Sequence, residues 1–352
     1  MNNQDFVRDF TIPPPDLSDK SIMITGGTGS FGKAFVRKVL RDFAPRKLII
    51  FSRDELKQSE IAKHYPVEKY SAIRYFIGDV RDESRLELAM RDVDYVIHAA
   101  ALKQVPAAEY NPIECINTNV IGAENVVRAS LRTNVKKVIA LSTDKAANPI
   151  NLYGASKLAA DKIFVAANNL SGTDCARFSV VRYGNVLGSR GSVVELYEEL
   201  LREGATSVPI TDSRMSRFWI TIDQGVDFVL SSLSVMEGGE TYVPKIPSMK
   251  IIDVAKAIAP DASHDIIGIR PGEKLHELMI SADDARFTWE FDDRYIISPP
   301  FNADNAPGAS LGQARPVDER FQYSSDNNDE WLSPDGLRRL LAGTSAATPK
   351  GL

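Results

Sequence analysis

At 352 residues the chain can bury a large core, as one big α/β unit or as a nucleotide domain with a smaller second lobe. Its composition, 43% apolar and 25% charged, is that of a soluble globular protein, and a net charge of −5 argues against a general nucleic-acid binder. Any anionic ligand must therefore be held by local arginines and lysines.

In chain order, the segment Met1–Lys20 is polar and carries Pro13-Pro14-Pro15, so it reads as an N-terminal extension without the apolar stretch of a signal peptide. No run of about 18 apolar residues follows, which leaves no candidate membrane helix. A cytoplasmic protein is expected, with no membrane or nucleic-acid partner. Short β-rich runs at Ser21–Thr25, Lys47–Phe51, Ile73–Ile77, Tyr95–His98, Lys137–Ser142 and Phe178–Tyr183 predict strands. Between them, Phe31–Asp42, Arg85–Met90, Pro112–Thr133 and Tyr153–Asn169 predict helices, some with apolar residues three and four apart. This alternation predicts a Rossmann-type, doubly wound parallel sheet of the α/β class, with ligands at the carboxyl ends of the strands. Residues 21–183 are expected to be mainly the cofactor domain and 184–300 mainly the substrate lobe, with the chain free to cross between them. A C-terminal extension follows from 301 to 352, irregular at first and frayed from about Gly343. Cys115 and Cys175 fall in a helix and a loop with no metal-ligand spacing, so free thiols and no metal site are expected.

The first strand runs into Gly26-Gly27-Thr28-Gly29-Ser30-Phe31-Gly32. Gly27, Gly29 and Gly32 satisfy one dinucleotide-binding spacing, and Gly26, Gly29 and Gly32 satisfy the spacing of extended short-chain dehydrogenases. A strand leads in and a helix leads out, so backbone N–H groups and the helix amino end can face a pyrophosphate. After the second strand stand Ser52-Arg53-Asp54, where a hydroxyl and a guanidinium favour the 2′-phosphate of NADP, while Asp54 keeps NAD open. Asp79-Val80 is placed to meet the adenine. His98 reads as a packed core residue, and the small residues after it allow backbone to approach the cofactor.

Tyr153 and Lys157 lie four apart on one helix face, where an ammonium can favour the phenolate. A phenolate beside a nicotinamide can take the proton of a sugar hydroxyl as its carbon is oxidised. Thr143-Asp144-Lys145 follow the fifth strand, at the sheet edge where a substrate reacts. Once carbon 4 of a sugar is a ketone, a base can remove the carbon 5 hydrogen while an acid protonates the departing carbon 6 hydroxyl. Lys145 is assigned to the first role and Asp144 to the second; a structural salt bridge is the plainer alternative.

The chain resembles the inverting UDP-N-acetylglucosamine 4,6-dehydratases through long segments between Ser21 and Pro299. These include Ile24–Lys33, Ser52–Glu60, Phe76–Asp82, Glu109–Val120, Ala140–Lys157, Val181–Val193 and Ile266–Glu277, with an echo at Tyr323–Asn328. The resemblance implies a redox-neutral dehydration of UDP-N-acetylglucosamine with inversion at carbon 5, using tightly held, self-recycling NADP, and opening the bacterial route to pseudaminic acid for flagellin glycosylation. It implies Thr143, Asp144, Lys145 and Tyr153 as the catalytic group, supported by Lys157. Cofactor contacts are implied at Gly26, Thr28, Gly29, Ser30, Phe31, Gly32, Ser52, Arg53, Asp54, Glu55, Leu56, Lys57, Asp79, Val80, Ala99, Lys103, Leu141, Ser142, Tyr153 and Lys157. The UDP-sugar is implied at Lys103, Asn185, Val186, Arg217, Arg270 and Glu273, with a homo-oligomer, hexamer or dimer, as the assembly. Retaining relatives typically have Glu where this chain has Lys145, and related sequences usually have His at Gln104. A retaining dehydratase, a UDP-sugar 4-epimerase and a non-catalytic dinucleotide-binding regulator are the competing readings.

Overall fold

The computed structural model describes residues 8–10, 12–172, 176–189, 191–300, 307 and 314–347. Cys175, most of the connection after Pro299 and residues 348–352 lie outside the described residues.

Six parallel strands form the first part of the main sheet: β1 (Ser21–Thr25), β2 (Lys47–Ser52), β3 (Ile73–Ile77), β4 (Tyr95–His98), β5 (Lys137–Thr143) and β6 (Arg177–Tyr183). They lie in the order β3-β2-β1-β4-β5-β6, so the strand order reverses beside β1 and opens a crevice at the carboxyl ends. The central strands β1, β4, β5 and β6 are buried along nearly their whole length because both faces are covered. Ile22, Ile24, Leu48 and Ile50 enter one core, while Met23, Ile49, Val96 and Val138 enter the core on the opposite face. Each such side chain contributes roughly 1.5–3 kcal/mol by burial.

The helices of this half are α1 (Ser30–Asp42), α2 (Glu55–His64), α3 (Glu83–Ala89), α4 (Val105–Tyr110), α5 (Pro112–Ile116), α6 (Gly122–Arg132) and α7 (Leu152–Leu170). Two of them, α2 and α4, fall where no helix was expected. The helix expected over Pro112–Thr133 is interrupted by a π-helical turn at Asn117–Ile121. That turn delivers Asn119, whose side chain accepts from Leu102 N–H (2.8 Å) and donates to the Leu102 carbonyl (2.9 Å). Asn125 likewise donates to the Val80 carbonyl at 3.0 Å. The widened turn thus fixes one loop that borders the crevice, and α6 fixes another.

The later chain adds β7 (Asn185–Leu187), α8 (Val193–Arg202), β8 (Ser207–Ile210), β9 (Ser216–Thr221), α9 (Ile222–Val235), β10 (Thr241–Pro244), β11 (Ser248–Lys250) and α10 (Ile251–Ile258). It continues through β12 (Ser263–Ile266), β13 (Leu278–Ile280), α11 (Ala282–Ala285), β14 (Thr288–Glu290), β15 (Arg294–Ile297), β16 (Arg315–Pro316), β17 (Tyr323–Ser324) and α12 (Pro334–Ala347). The chain crosses back to the main sheet: β10 pairs parallel to β6, and β15, β14 and β16 extend it antiparallel to ten strands. Helix α9 also packs on the main sheet, tied to α1 by Arg37–Asp223 (2.6 Å) and Lys38–Asp227 (2.8 Å). The remaining lobe is built from the β11-β9-β7 sheet, the β8–β12 pair and helices α8, α10 and α12 around Tyr197, Trp219, Met249 and Leu337. The helical end of the chain runs to Ala347, beyond the point where fraying was expected.

Candidate active site

A single cleft of about 980 Å³ runs from the glycine turn after β1, past the ends of β4 and β5, to the loop at Arg270. The glycines at its first end are required by space. Gly26 has φ +65°, and a Cβ there would stand 2.8 Å from the Ala100 nitrogen. A Cβ on Gly32 would meet the Gly27 carbonyl, so α1 starts hard against the turn. Gly29 caps α1 without a side chain, leaving the helix amino end open to the cleft. An anionic pyrophosphate fits such a cradle by backbone donors and helix dipole.

At the end of β2, the Thr28 and Ser52 hydroxyls are 2.8 Å apart. Asp54 is already engaged: it caps α2 by accepting from Lys57 N–H (3.0 Å) and pairs with Lys57 Nζ (2.8 Å). Those bonds to Lys57 hold its carboxyl below the usual range. Arg53 lines the cleft with its side chain 56% exposed, 3.9 Å from Asp79, and so presents a cation where Asp54 presents little. Glu55 and Leu56, also implied as contacts, do not line the cleft; Leu56 is turned to solvent by the first turn of α2. Thr28, Gly29, Ser30, Phe31, Ser52, Lys57, Asp79, Val80, Ala99, Lys103, Leu141 and Ser142 do line it. His98 is buried in the core, bonded to the Thr25 hydroxyl at 2.9 Å and packed on Phe164.

The candidate reactive centre forms where β5 ends. Asp144–Ala146 make one 3-10 turn, held by the Thr143 hydroxyl, which donates to Asp144 Oδ1 at 2.9 Å. Asn151 caps α7 by accepting from Gly154 N–H at 2.7 Å. A Cβ on Gly154 would collide with the Lys145 carbonyl, so the start of α7 packs directly on the Asp144-Lys145 turn, with the Tyr153 phenol bonded to the Thr143 hydroxyl. Lys145 Nζ lies 3.0 Å from Asp144 Oδ1 and 3.0 Å from Glu277 Oε1. Glu277, which sequence reasoning did not single out, arrives from the turn before β13. It lies in the matching segment Ile266–Glu277, but a lone glutamate in a loop gives no other signal.

Burial pushes the Asp144 carboxyl up against the pull of Lys145. Burial works against the Lys145 ammonium too, but Asp144 and Glu277 outweigh it and raise its pKa. In Glu277 burial is outweighed by Lys145 and Arg217, and the carboxyl is lowered. Of the two acids, Asp144 is therefore the one poised to carry a proton.

Burial pushes the Tyr153 phenol up to about 12, opposed by Lys145 and the Thr143 hydroxyl. The expectation that Lys157 favours the Tyr153 phenolate is corrected here. Its ammonium is turned away, donating to the Leu141 carbonyl at 2.6 Å, and is lowered by burial against the attraction of Asp161. The cation that acts most on Tyr153 is Lys145, opposed by Asp144 and Asp161.

At the substrate end, Lys103, Asn185, Val186, Arg217, Arg270 and Glu273 all line the cleft. Arg217 is nonetheless committed inward: its guanidinium donates to the carbonyls of Ser216 (2.7 Å), Lys274 (2.9 Å) and Leu275 (3.1 Å). It braces the segment that carries Glu277, and Arg270, with its side chain 55% exposed, is the more available cation for a diphosphate. Among the described residues, no group of three His, Cys, Asp or Glu side chains could hold a metal.

The ten-stranded sheet, glycine turn and Tyr153/Lys157 pair define an extended short-chain dehydrogenase/reductase architecture with a nucleotide-sugar cleft. The model of the family described as polysaccharide biosynthesis protein matches residues 22–299, and the chain belongs to that family. It is 57% identical over 333 residues to the UDP-N-acetylglucosamine 4,6-dehydratase (inverting) of Campylobacter jejuni, covering 93% of this chain and 99% of that protein. It is also 43% identical over 275 residues to a UDP-glucose 4-epimerase of Rickettsia bellii, covering 76% of this chain and 79% of the relative. Among solved structures, Pen from Bacillus thuringiensis matches with a TM-score of 0.84 and 34% identity, over 94% of this chain and 98% of that one.

Proposed function

We propose that the protein catalyses the inverting 4,6-dehydration of UDP-N-acetylglucosamine to UDP-2-acetamido-2,6-dideoxy-β-L-arabino-hexos-4-ulose. The observation that carries this reading is the Asp144–Lys145 pair, 3.0 Å apart and lining the cleft together with Tyr153. The likeness to the Campylobacter jejuni dehydratase over nearly the whole chain supports the choice of substrate. The dinucleotide held at Gly26–Gly32 would supply hydride removal from carbon 4 and hydride return to carbon 6. Arg53, exposed at the end of β2 while Asp54 is engaged, favours NADP in that role.

Tyr153 is the group placed to hold the proton of the 4-hydroxyl, with Lys145 and the Thr143 hydroxyl favouring its phenolate against the burial that raises its pKa. Lys145, as the amine, takes the proton from carbon 5. Asp144, whose carboxyl burial pushes toward the protonated form, gives its proton to the carbon 6 hydroxyl, which leaves as water. A water on the opposite face gives carbon 5 its proton and completes the inversion, and the hydroxide left behind is neutralised by the proton that Tyr153 took from the 4-hydroxyl. The product suits the first step of pseudaminic acid synthesis for flagellin glycosylation, in the cytoplasm where nucleotide sugars are made. Among the described residues no helix is long and apolar enough to cross a membrane.

An epimerase would share the glycine turn and the Tyr153/Lys157 pair, but it needs no acid at carbon 6. Incubating the purified protein with UDP-N-acetylglucosamine and weighing the product separates the two. Loss of one water supports the dehydratase, whereas an unchanged mass with conversion to UDP-N-acetylgalactosamine supports the epimerase.

A further inference from the structure

Glu277 is built into the cleft with unusual care. Its N–H donates to the Ser325 hydroxyl (2.9 Å), its carbonyl accepts from Ser325 N–H (2.8 Å), and the Ser325 hydroxyl also donates to the Ser216 carbonyl (3.1 Å). The segment Tyr323–Asn328 therefore serves as a brace. Tyr323 and Asn328 both bond the Ile246 carbonyl, at 3.0 and 2.8 Å, which anchors the brace beside β11. The Glu277 side chain is 2% exposed, with Oε1 3.0 Å from Lys145 Nζ and 3.7 Å from Arg217 Nε. Its other oxygen, Oε2, is buried without a hydrogen-bond partner. Leaving such an atom unsatisfied costs about 1–3 kcal/mol, more when the group is charged.

Lys145 is thus gripped by two carboxyl groups when one would neutralise it. To act as a base at carbon 5 it must first lose its own extra proton. Asp144 cannot accept that proton, because its own is needed at the carbon 6 hydroxyl. Glu277 is the other acid within hydrogen-bond reach.

We propose that Glu277 is the proton acceptor that converts Lys145 from ammonium to amine when substrate covers the pair. The proton crosses from Lys145 Nζ to Glu277 Oε1, the ion pair becomes a neutral pair, and no charge enters or leaves the site. Lys145 then accepts the carbon 5 proton. Excluding water favours this exchange, since a neutral pair costs less than an ion pair in a dry cleft. Arg217 and Lys274 on the substrate side favour the Glu277 carboxylate, while Asp144 and Tyr153 face Lys145 from the sheet side. Once water has left, the Lys145 ammonium passes a proton to Asp144 and Glu277 returns its own to Lys145, which restores all three groups. The inference rests on the reading of Lys145 as the carbon 5 base, and Glu277 acts through Lys145.

The test is Glu277→Gln, which keeps the shape and removes the acceptor. With UDP-N-acetylglucosamine as probe, kcat for dehydration should fall about 10²–10⁴-fold while KM and UDP affinity stay within about threefold. The wild-type kcat should be nearly flat from about pH 7 to 9. The variant should climb by up to about tenfold per pH unit, because the Lys145 proton must then go to water. Glu277→Asp should recover at least about tenfold of the loss and be flat again. A Glu277→Gln kcat within about fivefold of wild type, or a reduced kcat that keeps the flat wild-type profile, overturns the proposal. If Glu277→Gln does not fold, Glu277→Asp carries the test, and an alkaline slope in that variant overturns it. Wild-type protein that does not dehydrate the substrate at all overturns the functional reading itself, and the role of Glu277 with it.

Discussion

Asp144 Oδ1 and Lys145 Nζ stand 3.0 Å apart although the residues are neighbours in the chain. The single 3-10 turn after β5 makes this possible, folding both side chains toward the cleft where an extended strand would send them to opposite faces. Asp144→Asn keeps the shape of the turn and removes the acid. Dehydration of UDP-N-acetylglucosamine should fall about 10²–10⁴-fold, with UDP affinity by calorimetry unchanged within about threefold. Full turnover in this variant would remove Asp144 from the chemistry.

Arg53 is the exposed cation beside an Asp54 that is bound to Lys57. Arg53→Ala should weaken NADP binding by about tenfold and leave NAD binding within about twofold, the loss expected when one guanidinium–phosphate contact is removed. Fluorescence titration of cofactor-stripped protein with each dinucleotide checks this. An equal loss for both would show that Arg53 does not read the 2′-phosphate.

Asp161 and Arg182 form a second buried pair behind the site. Asp161 accepts from the Ser142 hydroxyl at 2.8 Å, lies 3.4 Å from Arg182, and attracts Lys157. Asp161→Ala leaves buried cations without their carboxylate and should destabilise the fold by about 3–5 kcal/mol. Urea unfolding measures the change, and a loss below about 1 kcal/mol would contradict the pairing.

His98 is held neutral: burial, with Lys157 adding to it, pulls its pKa down from 6.5 to about 3. The unfolded chain therefore takes up a proton below about pH 6.5 that the folded chain refuses. Stability is complete above that pH and declines toward about pH 3, at up to about 1.4 kcal/mol per pH unit. His98→Asn, which cannot titrate, should show a shallower decline in the same window by urea unfolding. Identical slopes would mean that His98 is protonated in the fold.

Much of this architecture was legible because its signals are local. The strands are short runs rich in Val, Ile and Phe, all but the edge strand β3 largely buried, and their predicted bounds stand within a residue or so of those observed. Helix α2 was missed because its apolar residues are few and Leu56 points to solvent, so what starts it is the Asp54 cap. The break at Asn117–Ile121 was missed because it serves a distant partner, the Leu102 loop, and leaves no mark on local periodicity. Glu277 was invisible for the same reason. It reaches Lys145 only after the chain has crossed between lobes and been braced by Ser325, a meeting over 132 positions that no spacing encodes. The roles of Lys157 and Arg217 needed geometry as well, since a motif names a residue without showing which carbonyls it serves.

The most direct test of the whole account is to incubate the purified protein with UDP-N-acetylglucosamine in deuterated water, without added cofactor, and to follow the sugar by proton NMR. The account predicts loss of one water, deuterium at carbon 5 and an L-arabino 4-keto product. A dehydrated product of D-xylo configuration would contradict the assignment of Lys145, and recovery of only UDP-N-acetylgalactosamine would contradict dehydration itself.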